Sequence, residues 1–597
     1  MQRKYVAVLI SILIVGTVII YLPTIQSGFI WDDLQFLLLP LKMGETPYKY
    51  FFGWGVYYRP FIHVVNTFDY SIWHLDPRGW HITNIVINTF NSFLMFVFSL
   101  YFLKYKKESE SKVKLSEQFD LKYIYILSFL SAILFTVNPL HVESIAWISG
   151  RTDPLATLMI IAAFLSLTIY LRTMSGVSFV LVGIFFLFGL FSKENAIALI
   201  ILAIAYCIIM KAAKKQFIMS IGLLLFITAI YFIVFRKGGG IRELVETPGS
   251  ADAFLAEGLN LVEIINRFIF ATGYYFEKLV LPINLNLMPN IPNNPVYYLL
   301  FVIPFIIGIV LYIKKLRLEA FMFSWGFLAL IPSLAILYTQ IALPIAERYL
   351  YTSSVGFTLF IVMMLSNLKS KRITIIILSF IAISYTVVTV DRLKDWKDDK
   401  TLWEVTVKQN PASITPALNY ASALFREKEY DKAREYMLKI LQVKNLDFIY
   451  AAKILHYLGK TEFDTGNSEK AEEYFNASVK AYPKSSGVYN DLGTLYYDKF
   501  NKLRQDTNMN IAYLDKANID KAIEYFQLAL KYSPEFIQPK YNLGLSYLTK
   551  AQLVEAEKYF KEVIRDDPQS VLAEESASFL ADIETVKQLI DKGKIKR

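Results

Sequence analysis

Residues 372–400 read RITIIILSFIAISYTVVTVDRLKDWKDDK and divide the chain into two parts of different composition. The run from 372 to 390 is apolar and long enough to cross a membrane, which takes about 20 mostly apolar residues. Similar apolar runs precede it, whereas polar helical sequence with a repeat of about 34 residues follows Asp391. The sequence therefore predicts a multi-span membrane body with a repeat domain behind it.

The composition supports a membrane protein with more than one part. Of the 597 residues, 55% are hydrophobic, and the mean hydropathy is +0.38, which excludes a disordered chain. The net charge is +10. Because Lys and Arg concentrate in short loops between apolar runs, this charge indicates membrane orientation and not nucleic-acid binding. The single cysteine, Cys207, lies inside an apolar run, so no internal disulfide can form.

Eleven apolar runs are candidate spans. They lie at about residues 5–22, 84–103, 122–138, 154–171, 177–192, 195–210, 216–235, 296–313, 320–338, 347–366 and 372–390. With a cytoplasmic N-terminus, this odd number places the basic loops in the cytoplasm and the repeats outside it. The first run has no cleavage site at its end and is interpreted as a retained anchor. Because residues 262–282 include Arg267, Glu277 and Lys278, an interfacial or re-entrant helix is favoured over a span there.

The C-terminal part predicts an α-solenoid of helical pairs. The best-matched unit carries Leu543-Gly544, Tyr547, Ala556, Phe560 and Pro568, which is tetratricopeptide spacing. The preceding unit contains an extra stretch of about 17 residues around 502–518, which predicts an extended loop or a lengthened helix pair. We therefore expect an all-α chain with a membrane domain at 1–390, whose first outside loop is 23–83. A lead-in helix at 391–410 and about four repeats with a capping helix at 411–597 should follow.

An acidic pair lies about ten residues beyond the first apolar run. Asp32 and Asp33 follow Trp31 at the start of the first outside loop. Ionised groups avoid hydrocarbon, so a carboxylate at this place faces water or a polar cavity. It can act as general base on an acceptor hydroxyl. A solvated loop start or a helix cap is the alternative interpretation.

Other charged groups cluster in short outside loops. His141 and Glu143 could form a hydrogen-bonded pair or serve the fold alone, and the sequence favours neither interpretation. For Arg151 and Asp153 a structural role is favoured, since Asp153-Pro154 can cap a helix. No local cluster supplies three ligands with zinc-like spacing. No glycine-rich nucleotide loop is present either, which argues against a nucleotide-sugar or ATP donor.

Two further loops bring basic residues to the same side. Lys193 and Glu194 join two apolar runs and form either a charged hairpin turn or part of a site. Arg348 opens a later run, where arginine can extend to the interface or bind a phosphate through two donors. Tyr349, beside Arg348, can serve as an interface anchor.

Taken in order, five short motifs resemble a known family. They are Trp31-Asp32-Asp33, Tyr58-Arg59-Pro60, His141-x-Glu143, Ser192-Lys193-Glu194 and Glu347-Arg348-Tyr349. Together with the repeats they resemble the transmembrane and tetratricopeptide-repeat O-mannosyltransferases and their bacterial relatives. The resemblance implies a GT-C membrane fold, a polyprenyl-phosphate sugar donor, and transfer outside the cytoplasm of a bacterial plasma membrane. It does not fix the sugar or the acceptor, so mannose and protein are candidates.

The resemblance also assigns roles to residues. It implies that the pair Asp32-Asp33 holds the catalytic base, and that Arg348 with Lys193 faces the donor phosphate. The supporting residues are then His141, Glu143, Arg59, Glu194 and Tyr349. No cofactor is expected, although a divalent metal stays open. The expected partners are the lipid-linked sugar, membrane lipids, and a protein or peptide bound by the repeats, with no nucleic acid.

Two other classes compete with this interpretation. A membrane-anchored repeat scaffold for envelope assembly would need no carboxylates or arginine at the membrane mouth. A polymerase or ligase of surface polysaccharide should carry key arginine and histidine residues in a large late outside loop. Residues 339–346 are too few to form one. The sequence therefore favours a membrane glycosyltransferase.

Overall fold

The computed structural model describes residues 2–33, 58–110, 120–235, 261–289, 294–334, 345–444, 446–507, 516–568 and 570–592. In these ranges the chain is all-α and holds no strand. It forms two compact units, the first ending at Asn410 and the second beginning at Pro411. The predicted fold class, a membrane-type helical domain followed by a tetratricopeptide solenoid, is confirmed.

The first unit consists of sixteen described α-helices joined by short turns. They are α1 (Gln2–Tyr21), α2 (Pro60–Trp73), α3 (Pro77–Glu110), α4 (Leu121–Thr136), α5 (Val142–Ala146), α6 (Thr152–Thr173), α7 (Gly176–Ser192), α8 (Ala198–Ile209), α9 (Lys214–Ile230), α10 (Leu261–Val280), α11 (Val296–Ile313), α12 (Arg317–Leu328), α13 (Ile331–Leu334), α14 (Leu350–Ser366), α15 (Lys371–Leu393) and α16 (Asp399–Gln409). Several 3₁₀ turns precede these helices, and four of them carry predicted site residues or their neighbours: Pro139–His141, Ile148–Arg151, Glu194–Ile197 and Glu347–Tyr349.

Seven helices within the described ranges are long and apolar enough to cross a membrane. They are Lys4–Gln26, Pro77–Glu108, Ile148–Thr173, Lys214–Ile233, Val296–Ile313, Glu347–Ser366 and Lys371–Trp396. An eighth results if Leu121–Thr136 and Pro139–Ala146, bent by 47°, count as one broken span. The predicted runs at 177–192 and 195–210 are helices of shorter length. The total of eleven spans, and with it the side of the repeats, stays a prediction.

The predicted run at 320–338 is divided in the structure. Helix α12 ends at Leu328, α13 covers only Ile331–Leu334, and the remainder lies outside the described residues. Residues 262–282 form the continuous helix α10. Its C-terminal half packs Ala271, Tyr275 and Leu279 into the core of the unit. Whether α10 crosses the membrane or lies at its surface stays a prediction.

Close helix contacts and a buried ion pair hold the first unit together. Gly356 of α14 faces Trp325 of α12 so closely that an added Cβ would lie 2.2 Å from the Trp325 Cβ, so only glycine fits there. At one end of the same helices, the Lys106 Nζ lies 2.7 Å from the Glu319 Oε1, and both side chains are almost fully buried. Lys106 also donates to the Asn367 Oδ1 at 2.7 Å, so one lysine connects α3, α12 and α14.

The second unit is a stack of four helix pairs and a C-terminal helix. They are α17 (Ile414–Arg426), α18 (Tyr430–Leu441), α19 (Phe448–Asp464), α20 (Ser468–Ala481), α21 (Ser486–Thr507), α22 (Ala517–Tyr532), α23 (Ile537–Thr549), α24 (Leu553–Asp566) and α25 (Val571–Asp591). The repeat glycines explain the close pairing. An added Cβ would lie 2.5 Å from the ring of Phe475 at Gly459, and 2.6 Å from the ring of Phe560 at Gly544.

The extra stretch in the third repeat lengthens a helix. Helix α21 has 22 residues, whereas the equivalent α23 has 13. This observation agrees with the predicted lengthened helix, while residues 508–515 lie outside the described part of the chain.

Candidate functional site

The chain after α1 is held in place by the carboxylate of Asp33. Its Oδ1 accepts hydrogen bonds from the Ser149 N–H at 2.9 Å and the Ser149 hydroxyl at 2.6 Å. Its Oδ2 accepts from the Ile30 N–H at 3.1 Å. The side chain is fully buried. Burial raises the pKa of Asp33 to about 7, although these three donors lower it. Asp33 therefore fastens the turn at 30–33 to the turn at 148–151.

Asp32 is placed differently from its neighbour. Its side chain is half-buried and accepts no hydrogen bond from the residues that the structure describes. Burial raises the pKa of Asp32 to about 6, the Arg348 charge lowers it, and the Asp399 charge raises it further. Such a carboxylate is ionised above about pH 6 and can then accept a proton from a reactant.

Trp31 sets the direction of the acidic pair. Its φ of 52° lies in the left-handed region, which costs of order 1–3 kcal/mol for such a residue unless its surroundings hold it. The Trp31 N–H donates to the Asp399 Oδ1 at 2.7 Å. Its ring stacks on Trp147, with centroids 4.7 Å apart, and meets the edge of Trp403 at 5.6 Å. These contacts offset the strain and fix the following Asp32.

Arg348 lies beside this aromatic group. Its Nη1 forms an ion pair with the Glu143 Oε1, and its N–H donates to the Glu143 Oε2 at 3.0 Å. The guanidinium carbon lies 5.5 Å from the ring centroid of Trp147 and 5.2 Å from that of Tyr349. Glu143 is fully buried, whereas the Arg348 side chain is 15% exposed. Arg348 is thus anchored at one edge and accessible at another.

Lys193 approaches the same tyrosine from another segment. Its Nζ lies 5.3 Å from the Tyr349 ring centroid and 2.7 Å from both carboxylate oxygens of Asp153. The structure therefore brings the two predicted phosphate-binding cations, Lys193 and Arg348, around one ring. Since each cation already pairs with a carboxylate, an added phosphate would share them with Asp153 and Glu143.

Arg59 and Glu194 form a third ion pair. The Arg59 Nε and Nη2 donate to the two Glu194 oxygens at 3.0 and 2.8 Å. This bidentate pair links the start of α2 to the turn between α7 and α8. Its partly exposed side chains make it a candidate element of the wall of the site.

Of the two interpretations left open for His141 and Glu143, the hydrogen-bonded pair is not the one observed, because each side chain has another partner. The His141 Nε2 instead lies 2.8 Å from the Ser354 hydroxyl, and its ring centroid is 4.1 Å from that of Tyr351. Glu143 pairs with Arg348. Residues two positions apart on a helical turn do not face each other, which explains the separate partners. His141 therefore contacts Ser354 and Tyr351, whereas Glu143 contacts Arg348; the supporting roles of both stay predictions.

Arg151 has the structural role that its sequence position favoured. It is fully buried, and it donates to the Asp69 Oδ2 at 2.6 Å, the Asn84 Oδ1 at 2.8 Å and the Trp80 carbonyl at 2.9 Å. Asp153, expected to cap a helix, instead holds Lys193. Among the described residues no group of three His, Cys, Asp or Glu side chains is placed to hold a metal ion.

Sequence reasoning missed three contributors to the site. The Trp147 ring stacks on that of Trp31, and Asp399 accepts a hydrogen bond from the Trp31 N–H. Glu347 is fully buried, pairs with Arg392 and accepts from the Asn286 N–H at 2.5 Å, which fixes the turn that carries Arg348. Glu347 lies within a quoted motif and could have been found there, and Trp147 lies in the same short loop as His141 and Glu143. Asp399 carries no local signal.

The fold and the site define a class of protein. It is an all-α protein with apolar membrane-type helices and tetratricopeptide repeats. A carboxylate, Asp32, and two cations, Lys193 and Arg348, lie near the ends of its apolar helices. Two tetratricopeptide-repeat family models match residues 413–484 and 511–571. Among solved structures, a crystal structure of MamA protein covers 28% of this chain and 81% of its own, at 19% identity and a TM-score of 0.22. That score is too low to bear on the fold.

The particular relatives are protein O-mannosyl-transferases. The chain is 22% identical over 600 residues to protein O-mannosyl-transferase TMTC3 of Homo sapiens, covering 88% of this chain and 60% of the relative. It is 27% identical over 444 residues to protein O-mannosyl-transferase F38B6.6 of Caenorhabditis elegans, covering 69% and 59%. The chain thus spans about 60% of the length of these relatives. The similarity and the repeats support the predicted family.

Proposed function

We propose that this chain is a membrane glycosyltransferase of the GT-C class that transfers a sugar from a polyprenyl phosphate to an acceptor outside the cytoplasm. Mannose is the first candidate, because the relatives are named as mannosyl-transferases. The observation that carries the proposal is the half-buried Asp32 carboxylate beside the partly exposed Arg348. A base next to an anion-binding cation is what the reaction requires.

The proposed step is a single displacement. The oxygen of an acceptor hydroxyl attacks the anomeric carbon of the sugar, and the bond from that carbon to the phosphate oxygen breaks. The hydroxyl proton passes to Asp32, and the polyprenyl phosphate leaves with the bonding electron pair. One displacement inverts the anomeric configuration. A general base contributes about 10²–10⁴ in rate to such a step.

We assign the base to Asp32 and a positioning role to Asp33. Three donated hydrogen bonds occupy the Asp33 carboxylate, whereas no residue in the described part of the chain donates to that of Asp32. Because the pKa of Asp32 is about 6, its basic form predominates at neutral pH while it can still accept a proton during transfer.

Arg348 and Lys193 are proposed to meet the donor phosphate. Negative charge develops on the leaving phosphate during transfer, and fixed cations stabilise it. Both cations lie against Tyr349 and are held by buried or nearly buried carboxylates. They therefore need little reorganisation when charge develops.

The repeats are proposed to recruit the acceptor or a partner protein. Tetratricopeptide repeats stack into extended concave surfaces of the kind that bind peptides. We place the protein in a bacterial plasma membrane with the repeats outside the cytoplasm, because the basic loops predict that side.

The test uses the purified full chain in liposomes. Polyprenyl-phosphate mannose and the corresponding glucose and galactose compounds are each offered with a Ser/Thr-rich peptide mixture, and products are read by mass spectrometry. Transfer that is lost in Asp32→Asn supports the proposal. If the unmodified protein transfers none of these sugars, the scaffold interpretation replaces it.

A further inference from the structure

We infer that Asp399, on the helix that follows the last predicted span, is a positioning residue for Asp32: it fixes the backbone of Trp31 and adds negative charge beside the neighbouring carboxylate. This inference deepens the proposed function and rests on it for the role of Asp32 as base. It also makes residues 397–403, expected only to lead into the repeats, a part of the site.

Three contacts join this segment to the chain that carries Asp32. The Gly28 N–H donates to the Lys397 carbonyl at 3.1 Å, and the Trp31 N–H donates to the Asp399 Oδ1 at 2.7 Å. The ring of Trp403, which is only 1% exposed, meets that of Trp31 edge to face at 5.6 Å. The backbone contact at Gly28 and the ring contact of Trp403 lie on either side of the hydrogen bond that Asp399 accepts. The donor of that bond, Trp31, directly precedes Asp32 in the chain.

The hydrogen bond matters because of the conformation that it holds. Trp31 has a φ of 52°, and a bulky residue keeps a left-handed conformation only where several contacts determine it. The side chain of Asp399 accepts the N–H of this same residue. Loss of the acceptor would leave a partly buried N–H without its partner and favour a relaxed backbone, which would move Asp32.

The charges around Asp32 come from several elements. Arg348, on the turn before α14, lowers the pKa of Asp32, whereas Asp399, at the start of α16, raises it. Glu143 pairs with Arg348 and reduces the effect of that cation. Asp33, next in the chain, is held separately by Ser149. Asp399 is therefore a negative group that opposes ionisation of Asp32 from a different helix.

Two substitutions separate the two effects of Asp399. Asp399→Asn keeps an oxygen that can accept the Trp31 N–H but removes the charge. Asp399→Ala removes both. Asp391→Asn is the matched control, because Asp391 is a mostly exposed carboxylate that pairs with Lys394 near the end of α15.

The measurement is the protonation of Asp32 itself, which needs no sugar transfer. A hydrophobic carbodiimide reacts with protonated carboxyl groups, and tandem mass spectrometry distinguishes labelling at Asp32 from labelling at Asp33. In the full chain in liposomes, the labelling midpoint of Asp32 should lie near pH 6. Asp399→Asn should move it to lower pH by at least about half a unit, since a nearby like charge is removed. Asp391→Asn should not move it, and Asp32→Asn should abolish the label.

Transfer from polyprenyl-phosphate mannose is the second measurement. In Asp399→Asn the acid limb of the rate should move by the same amount as the labelling, with the maximal rate within about threefold of the unmodified chain. Asp399→Ala should lower the maximal rate by about tenfold or more, because one misplaced group can cost up to about 10²-fold.

The two proposals fail in different ways. An unchanged labelling midpoint in Asp399→Asn overturns the inference about Asp399, whatever the transfer rates are. A shifted midpoint without transfer in any variant, including the unmodified chain, leaves the placement of Asp399 intact and refutes the proposed function. Equal maximal rates in Asp399→Ala and Asp399→Asn would refute the role of its hydrogen bond.

Discussion

Replacing each member of the acidic pair by asparagine should separate chemistry from stability. In Asp32→Asn the rate of sugar transfer should fall by about 10²–10⁴, which is the usual contribution of a general base. The fold should change by less than about 0.5 kcal/mol, because the Asp32 side chain accepts no hydrogen bond from the described residues and is half-buried.

In Asp33→Asn the loss of stability should be larger, and the loss of transfer smaller, than in Asp32→Asn. An amide can replace the oxygen that accepts from Ser149, but its NH₂ group then faces the Ile30 N–H, so one donor loses its acceptor. An unsatisfied buried donor costs about 1–3 kcal/mol. Transfer should fall by less than in Asp32→Asn, because Asp33 acts only through position.

The stability comparison belongs at about pH 3, below the ordinary aspartate pKa of about 3.9. The folded-state pKa values of Asp32 and Asp33 are about 6 and about 7, so at that pH both carboxyls are protonated in the folded chain and mostly protonated in the unfolded chain. The substitution then changes hydrogen bonds without a difference in ionisation between the two states. Unfolding is followed by tryptophan fluorescence in denaturant, and transfer is measured at about pH 8, where both carboxylates are ionised. Wild-type transfer by Asp32→Asn, or a greater loss of transfer in Asp33→Asn than in Asp32→Asn, would refute this division of roles.

Three further outcomes are expected. Transfer should rise with pH through about 6, because Asp32 must be ionised to accept a proton; a rate that is flat from pH 5 to 8 would contradict this. Arg348→Ala should abolish most transfer and Arg348→Lys should restore part of it, since lysine keeps the charge but not the planar pair of donors; equal rates would remove Arg348 from the phosphate site. Gly544→Ala should destabilise the repeats by about 1–3 kcal/mol, because the added methyl would lie 2.6 Å from the Phe560 ring. Circular dichroism of a fragment of residues 411–597 measures this loss. If the unmodified fragment is unfolded, the expectation that the repeats fold independently is wrong.

The apolar runs and repeats could be predicted because their signals are local. A run of spanning length and a spacing of small and aromatic residues act within one helix or one helix pair. Gly459 and Gly544 show this directly, since each lies against the phenylalanine of its own pair. The number of spans was less accessible, because several apolar runs form shorter or divided helices.

Site residues could be predicted only where each lies in a short motif that is recognisable by itself. Arg348 and Lys193 were named from their own loops, and the structure brings both to Tyr349. The contact between Trp31 and Asp399 joins residues 368 positions apart, so no periodicity could reveal it. His141 and Glu143 are close in sequence, and the sequence left a hydrogen-bonded pair open as one of two interpretations; helical geometry gives them separate partners.

The three ion pairs of the site also determine how an anion would approach it. Arg59, Lys193 and Arg348 each lie next to a carboxylate of their own, so the cations project little field into the surrounding water. A phosphate headgroup would then be captured by contact and exchange of partners, not by long-range attraction. The rate at which a lipid-linked donor associates should accordingly depend little on ionic strength, because there is little unpaired charge for salt to screen.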